Sequence, residues 1–374
     1  MPNTLTGLDI LVNEKFARLK GLRIGLLAHP ASIDSKLVHI LHRCLEHKIE
    51  VKRLFGAEHG FWGNAQDMES VSDSVDAKTG IPVTSLYGQT RDSLLLNPDY
   101  LKDVDVLVCD LQDIGSRYYT FAYTIAFALK ACEQAGIKCM VLDRPNPLGG
   151  IQKEGNLVRP EFVSFVGEYP LQNRHGLTLG ELARFFKTHD QLSCELEVVE
   201  MQNWSREMYF EDTGLPWVLP SPNMPTPDTA LVYPGGCLFE GTNLSEGRGT
   251  TRPFELVGGA YIKDPEHFAE LAMSCDLPGA FLRPCWFTPI FHKHAHQLCG
   301  GLQIHVTNKH QFNAFKTGVA IIWAARQFEG FAWRTESYEF VSDRLAIDLL
   351  FGCDKPRIAM DREASFEEVY QVAI

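Results

Sequence analysis

Short apolar segments alternate with helical patterns through the first half of the chain, and this alternation limits the possible folds more than any other feature. Each apolar segment has the length and composition of a buried strand. These segments lie at residues 23–27, 51–55, 83–86, 104–110, 138–143 and 195–200. Helical spacing occurs at residues 35–47, 119–135 and 178–187. Strands that are apolar on both faces and alternate with helices indicate a parallel sheet. We therefore predict an α/β fold that begins with a Rossmann-like parallel-sheet domain.

A proline-rich segment separates this pattern from the rest of the chain. Residues 215–236 contain six prolines, a density that argues against a long helix or a central strand. Because 374 residues are too many for one ordinary core, we place a domain junction in this segment. The predicted domains are residues 1–225 and residues 226–374. The second has a strand pattern at 302–306 and a helical pattern at 312–327, and we predict a smaller α+β domain.

Composition and charge argue against several classes of partner. The net charge of −12 disfavours nucleic acid, which binds basic surfaces. No segment approaches the ~20 apolar residues that span a bilayer, and residues 1–9 lack the pattern of a signal peptide. The ten cysteines are scattered without a CxxC pair, which favours free thiols in a reducing compartment. We predict a cytoplasmic protein with no nucleic-acid or membrane partner, and the sequence carries no prediction of oligomeric state.

Polar side chains follow the predicted strands at their carboxyl ends, where ligands bind in open parallel sheets. Glu58 and His59 follow the second strand in a loop rich in glycine. The set includes His29, Glu58, His59, Asp110, Arg117, Tyr119, Asp143, Arg144 and Asn146. Carboxylates, amides, guanidinium groups and phenols gathered in one place indicate a carbohydrate site.

Structural roles are the alternative for several of these residues. Asp110 and Asp143 are also suited to cap the loops or helices that follow them. Arg144 could form a buried ion pair with either aspartate. Glu58 could cap a helix, although the glycines beside it clear space around the side chain rather than build a helix.

A second polar segment, residues 239–254, follows the predicted junction. It contains Glu240, Asn243, Glu246 and Arg248 among several glycines. We expect it to be too polar for the core and to form a loop that faces a ligand, with a plain surface loop as the alternative. Both GxxxxGK[ST] and GxGxxG are absent, so a nucleotide-binding enzyme is the weakest hypothesis.

Metal and serine-nucleophile chemistry have little support. His292, His294 and His296 alternate, so on a strand they would share one face. Because no carboxylate or cysteine stands at ligand spacing beside them, we predict no metal. The GxSxG sequence of a nucleophile elbow is also absent.

Seven motifs in order resemble the exo-β-N-acetylmuramidases, a family of glycoside hydrolases. The motifs are FGAEHGF, DSVDAKTGIPVTSLYG, DVLVCDLQDIGSRYYTF, LDRPNPLGG, RHGLTLGEL, LPSPNMPT and EGTNLSEGRGTTRPFE. The resemblance runs from about residue 7 to the C-terminus. It implies a Rossmann-like domain, a smaller α/β domain and an active site in the cleft between them. It also implies release of N-acetylmuramic acid from the non-reducing end of muropeptides or peptidoglycan-derived disaccharides, without a cofactor.

Glycoside cleavage usually needs an acid and a second carboxylate. We expect Glu58 to be the acid, because an apolar loop favours the protonated form, with His59 adjusting it by hydrogen bonding. Glu246 and Glu240 are the candidates for the second carboxylate, with Asp110 after them. Participation of the substrate's own acetamido group is a third possibility.

Substrate binding is assigned by the chemistry of muramic acid. Its lactyl carboxylate suits a guanidinium group, and the candidates are Arg117, Arg144 and Arg248. Tyr119 is expected to stack on a sugar face. Three asparagines are expected to bind hydroxyl or acetamide groups, namely Asn146, Asn223 and Asn243. The alternatives are a sugar sensor without catalysis and a hydrolase of another amino sugar.

Overall fold

The computed structural model describes residues 3–66 and 69–374. Residues 1–2 and 67–68 lie outside the described residues. All four fall in the first predicted domain, and residues 1–2 also belong to the segment examined for a signal peptide. The chain forms two compact units. Unit 1 comprises Met1–Gly115, Tyr119–Ile151 and Gly176–Pro222, and unit 2 comprises Ser116–Tyr118, Gln152–His175 and Asn223–Ile374. The domain ranges 1–225 and 226–374 stay a prediction.

Unit 1 is built on a seven-stranded sheet. Its strands are β1 (Arg23–Ala28), β2 (Glu50–Gly56), β3 (Ser74–Val75), β4 (Pro82–Ser85), β5 (Val106–Asp110), β6 (Lys138–Leu142) and β7 (Leu196–Val199). The order is β3-β4-β2-β1-β5-β6-β7, and every pair is parallel except β3–β4. Without the edge strand β3 this is the doubly wound Rossmann order, in which the strand order reverses between β1 and β5. The Rossmann-like prediction is confirmed.

Four α-helices accompany this sheet in the described part of unit 1. They are α1 (Gly7–Asn13), α2 (Ile40–Glu46), α3 (Phe121–Ala135) and α4 (Leu179–His189). A capping box formed by Thr178 and Glu181 begins α4. The predicted helix at residues 35–47 was too long, because Leu37 has a left-handed φ of 62° and His39 is the N-cap of α2. The side chains of the central strands are buried, since helices cover the sheet.

Unit 2 contains a three-stranded antiparallel sheet with several helices. Its strands are β8 (Leu256–Gly259), β9 (Ala280–Phe287) and β10 (Cys299–Val306), in the order β8-β10-β9. Its α-helices are α5 (Pro227–Gly236), α6 (Pro265–Met273), α7 (Ala314–Ala325), α8 (Ala346–Phe351), α9 (Lys355–Asp361) and α10 (Phe366–Ala373). The α+β prediction is confirmed.

The proline-rich segment contains a helix that the sequence argument did not expect. Helix α5 occupies its last ten residues. Pro227 stands at the first helical position, where its missing N–H removes no hydrogen bond, and Thr226 caps the helix. Pro234 lies near the opposite end. A Cβ on Gly235 would clash with the carbonyl of Ala314, so glycine lets α5 approach α7 closely.

Short 3-10 helices connect the longer elements. They lie at Ala17–Leu19, Arg91–Leu94, Pro98–Leu101, Pro160–Phe162, Phe210–Thr213 and Cys237–Gly241. The last of them leads from α5 into the polar segment 239–254. Among the described residues, no helix has the length and apolar character needed to cross a membrane. All ten cysteines are free.

Candidate active site

Glu58 lies in the tight turn that follows β2. Gly56 permits this turn, because a Cβ there would clash with the backbone of Phe61. The Glu58 side chain is mostly buried, with 8% of the residue exposed. Thr120, directly before α3, donates its hydroxyl to Glu58 Oε2 at 2.6 Å. Glu58 therefore binds a side-chain hydroxyl beside the start of a helix, and the structure gives no support to the alternative that it caps that helix. Thr120 was missed, although it stands in a quoted motif.

His59 supports the loop instead of contacting Glu58 through Nδ1. Its backbone is left-handed, with a φ of 71°. Its Nδ1 lies 3.0 Å from the carbonyl oxygen of Ala65. Because a carbonyl only accepts, Nδ1 is the protonated nitrogen and donates this hydrogen bond. This contact closes the loop that carries Glu58.

His29 joins the ends of β1 and β5, where the strand order reverses. The N–H of Gln112 donates to His29 Nε2 at 2.9 Å. The other ring nitrogen, Nδ1, lies 3.2 Å from the carbonyl of Pro220 and must donate to it. Burial lowers the pKa of His29 to about 3, so the ring is neutral near pH 7. The sequence placed His29 at a strand end, but its role in holding two loops follows from these contacts.

Asp110 and Arg144 form a buried ion pair. Arg144 Nε donates to Asp110 Oδ1 at 2.6 Å, and Arg144 Nη2 donates to Oδ2 at 2.8 Å. Nη2 also donates to the carbonyl of Ile33 at 2.9 Å. Burial raises the pKa of Asp110, and the charge of Arg144 opposes that effect. The ion-pair alternative is confirmed, and the assignment of these two residues to substrate binding stays a prediction.

Asp143 caps α4, which is the structural role that the sequence analysis gave as the alternative for this residue. Its carboxylate accepts from the N–H of Gly180 at 2.8 Å and from the Thr178 hydroxyl at 2.9 Å. Burial raises the pKa of Asp143 to about 6, although these hydrogen bonds act in the opposite direction. Asp143 therefore holds the start of a helix.

Arg117 and Asn146 also form hydrogen bonds with backbone groups, and their assignment as ligand-binding residues stays a prediction. Arg117, only 1% exposed, donates to three carbonyls at 2.7–3.0 Å; these belong to Asn156, Leu171 and Leu350. The amide of Asn146 donates to the carbonyl of Leu177 and accepts from the N–H of Leu148, each at 2.9 Å. These groups are committed within their own units, so neither side chain offers them to a sugar.

Tyr119 packs inside unit 1 rather than presenting a face to solvent. Its ring makes an edge contact with Phe121, with centroids 4.8 Å apart. Burial raises the pKa of Tyr119 well above its ordinary value, while a hydrogen bond with Ser221 acts against that rise. The structure contradicts the prediction that its ring stacks on a sugar, because the ring is buried.

Unit 2 contains a buried charge cluster, which we define as Glu240, Glu246, Arg248, His292 and Lys293. Arg248 bridges the two glutamates, with Nη1 at 2.7 Å from Glu246 Oε1 and Nη2 at 2.8 Å from Glu240 Oε1. His292 Nδ1 lies 3.0 Å from Glu246 Oε1, and Lys293 Nζ lies 3.1 Å from Glu246 Oε2. Glu246 therefore has three cationic or potentially cationic neighbours.

The contacts of the cluster determine what its carboxylates can do. Glu246 is 0% exposed. Burial would raise its pKa, but Lys293, His292 and Arg248 together hold that pKa well below the usual range. Glu246 is thus ionised and weakly basic. The other oxygen of Glu240, Oε2, accepts from the hydroxyl of Tyr338 at 2.6 Å.

Most of the polar segment 239–254 is buried, so the expectation that it would stay outside the core was wrong. Ion pairs and backbone hydrogen bonds compensate its polar groups. Asn243 is only partly buried, and its amide binds the carbonyl of Gly330, the N–H of Ala332 and the hydroxyl of Tyr261 at 2.7–3.1 Å. Asn223 is likewise partly buried.

The three alternating histidines do not lie on a strand. They stand in the turns between β9 and β10, and each has a positive φ of 56–68°. His292 binds Glu246, whereas His294 Nε2 donates to the carbonyl of Asn243 at 2.7 Å. Within residues 3–66 and 69–374, no group of three or more potential metal ligands is found.

Comparison with known proteins identifies the family. Residues 24–228 match the family described as exo-beta-N-acetylmuramidase NamZ, N-terminal. Residues 231–373 match the corresponding C-terminal family. A Bacillus subtilis (strain 168) protein, named peptidoglycan beta-N-acetylmuramidase NamZ, is 45% identical over 371 residues, which cover 98% of this chain and 87% of that protein.

Two solved structures of Bacteroides fragilis NCTC 9343 proteins, both described as DUF1343 family proteins, share the fold. One has a TM-score of 0.86 and 30% identity, covering 98% of this chain and 94% of its own. The other has a TM-score of 0.75 and 27% identity, covering 100% of this chain and 94% of its own. Since the two family matches together span nearly the whole sequence, this chain belongs to the exo-β-N-acetylmuramidase NamZ family.

Proposed function

We infer that this protein is a glycoside hydrolase, an exo-β-N-acetylmuramidase acting on peptidoglycan. Membership of the family and 45% identity to the Bacillus subtilis relative support this activity. We further propose that it releases N-acetylmuramic acid from the non-reducing end of muropeptides or peptidoglycan-derived disaccharides. The free cysteines agree with a reducing compartment, and we propose that the protein works in the cytoplasm.

The assignment of the general acid rests on the contacts of the four candidate carboxylates. Asp110, Glu240 and Glu246 each pair with an arginine. The contact of Glu58 is a neutral hydroxyl. A carboxyl group without a cationic partner can hold a proton near neutral pH much more easily than one in an ion pair. We therefore propose Glu58 as the general acid that protonates the leaving oxygen.

The same contacts disfavour a protein nucleophile among the other three. Glu246 is ionised, as a nucleophile or base must be, but it is fully buried and held by three neighbours. Asp110 and Glu240 are bound through both oxygens. We propose that the substrate's acetamido oxygen attacks the anomeric carbon, a route used by some glycosidases. Glu246 then acts by positioning His292 and Lys293.

The activity is tested by release of N-acetylmuramic acid from its chromogenic β-glycoside. Wild type is expected to turn over. On a disaccharide that ends in N-acetylmuramic acid, whose leaving alcohol needs a proton, Glu58→Gln is expected to lose at least about 10²-fold in kcat, as removal of general acid catalysis does. Glu50→Gln is the matched control, because this exposed glutamate lies in β2, the strand that leads to Glu58.

The alternatives give different results. Absence of turnover by folded wild type would refute the proposed activity. Tight binding without cleavage would indicate a sugar sensor, and cleavage of a glucosaminide in place of the muramide would indicate another amino sugar as substrate. An equal loss in Glu50→Gln and Glu58→Gln would remove the acid assignment.

A further inference from the structure

Unit 2 contains an open pocket beside the buried charge cluster, and nothing above assigns a ligand to it. Its volume is about 590 Å³, within the usual range for small-molecule sites. Three segments line it, residues 242–243, 292–294 and 332–336. The inference drawn from it rests on the proposed function, because it concerns another part of the same glycan.

Hydrogen bonds join the three walls of the pocket to one another. The N–H of Asn243 donates to the carbonyl of Ala332 at 2.9 Å, and the N–H of Arg334 donates to the carbonyl of Gly241 at 3.0 Å. His294 contributes the contact with the Asn243 carbonyl described above. The pocket is therefore built by cross-linked backbone segments, and little ordering is needed when a ligand binds.

Trp333 supplies an anchored aromatic ring at this pocket. Its Nε1 donates to Asp361 Oδ1 at 2.9 Å. Phe331 contacts the ring edge-on, with centroids 5.0 Å apart and planes at 87°. Two contacts thus fix the indole, while the residue remains only partly buried. A fixed aromatic ring beside polar side chains suits a pyranose, which has an apolar face and polar edges.

The charges at the pocket favour a neutral ligand over an anion. Lys293 is already bound to Glu246 and to the carbonyl of Phe239. Arg334 lies 4.0 Å from Glu336. The pocket therefore pairs its cations with carboxylates and carbonyls. Thr335 adds an exposed hydroxyl group to the lining, which can bind a hydroxyl or acetamide group of a sugar.

We propose that this pocket is a glycan subsite that binds a neutral N-acetylated sugar unit of the strand, distinct from the muramic acid being released. Trp333 provides the stacking surface, and the Thr335 hydroxyl contacts the edge of the ring. A short substrate lacks the sugar unit that fills the subsite, whereas a glycan strand carries it.

Trp333→Ala tests this subsite with two substrates. For peptide-free glycan strands that end in N-acetylmuramic acid, KM is expected to rise about tenfold with kcat unchanged, as loss of uniform binding predicts. For the chromogenic monosaccharide glycoside, both constants are expected to stay at wild-type values. Trp286→Ala is the matched control, because Trp286 is an exposed tryptophan of unit 2 outside the pocket lining. Trp333→Phe keeps an aromatic face and is expected to restore most of the affinity.

Each outcome decides the proposal. An unchanged KM for strands in folded Trp333→Ala, or an equal loss on both substrates, would overturn it. Binding of chitotetraose by calorimetry, present in wild type and lost in Trp333→Ala, would support the subsite even if the muramide is not cleaved. In that case the proposed activity alone would fail, so the two proposals can be separated.

Discussion

Replacing Thr120 by valine removes the hydroxyl that donates to Glu58 at 2.6 Å and nearly keeps the side-chain volume. The donor orients the carboxyl group, which must present its proton to the leaving oxygen. A hydrogen bond to a charged group contributes about 1.5–3 kcal/mol. At about 1.4 kcal/mol per factor of ten in rate, kcat/KM is expected to fall by roughly one to two orders of magnitude.

The kinetic constant that changes distinguishes two possible roles of Thr120. A contact that positions the acid in the transition state lowers kcat and kcat/KM together when it is lost, whereas a contact made equally in the ground state raises KM alone.

The assay measures kcat and KM for a disaccharide that ends in N-acetylmuramic acid. Thr120→Ser keeps the donor and is expected to follow wild type. Thr124→Val, one turn further along α3, is the matched control, because Thr124 donates to the Thr120 carbonyl. Wild-type kcat and KM in folded Thr120→Val would refute the link between this hydrogen bond and catalysis.

Three further changes test other parts of the argument. Glu246→Gln removes the buried carboxylate that Arg248, the partly buried Lys293 and the exposed His292 share, and it is expected to lower the free energy of unfolding by about 1–3 kcal/mol, measured with urea. Since the pKa of Glu246 is lowered, its wild-type contribution should be full at neutral pH and fall only in acid. An equally stable variant would contradict this role of the cluster. The pKa of Asp143 is raised to about 6, so the free energy of unfolding of wild type should fall by roughly 2–3 kcal/mol as pH rises from 4 to 6. Asp143→Asn should lack this decrease. If the two proteins show the same dependence of unfolding free energy on pH, this titration of Asp143 is excluded. Replacing the substrate's acetyl group by trifluoroacetyl weakens its oxygen as a nucleophile and should lower kcat by an order of magnitude or more if that group attacks, whereas an unchanged kcat would favour a protein nucleophile.

The Rossmann-like sheet could be predicted because burial on both faces leaves a direct record in the sequence. Strands such as β5 and β6 are continuous apolar runs, and their observed bounds differ from the predicted ones by only one or two residues. The start of α2 was wrong because Leu37 fits the helical spacing but adopts a left-handed backbone. Proline density likewise concealed α5, since one of its prolines occupies the first position of the helix.

The candidate site was predicted less well, because a residue type does not reveal its partner. Arg117, Arg144 and Arg248 all suited a lactyl carboxylate, yet backbone carbonyls bind the first and carboxylates of the chain bind the other two. A guanidinium group that organises a loop and one that binds a ligand have the same sequence signature. Glu58 kept its assignment as a candidate because its contact, the Thr120 hydroxyl, carries no charge.

The buried charge cluster has a physical consequence for the second half of the chain. Burying charged groups is expensive, and a buried ion pair adds little net stability compared with an apolar replacement. Glu246 nevertheless gathers Arg248, His292 and Lys293 around one carboxylate. These contacts fix the positions of His292 and Lys293, which line the pocket that also contains Trp333. In the proposed glycan subsite, the polar segment therefore acts from inside unit 2 by positioning side chains that line the pocket.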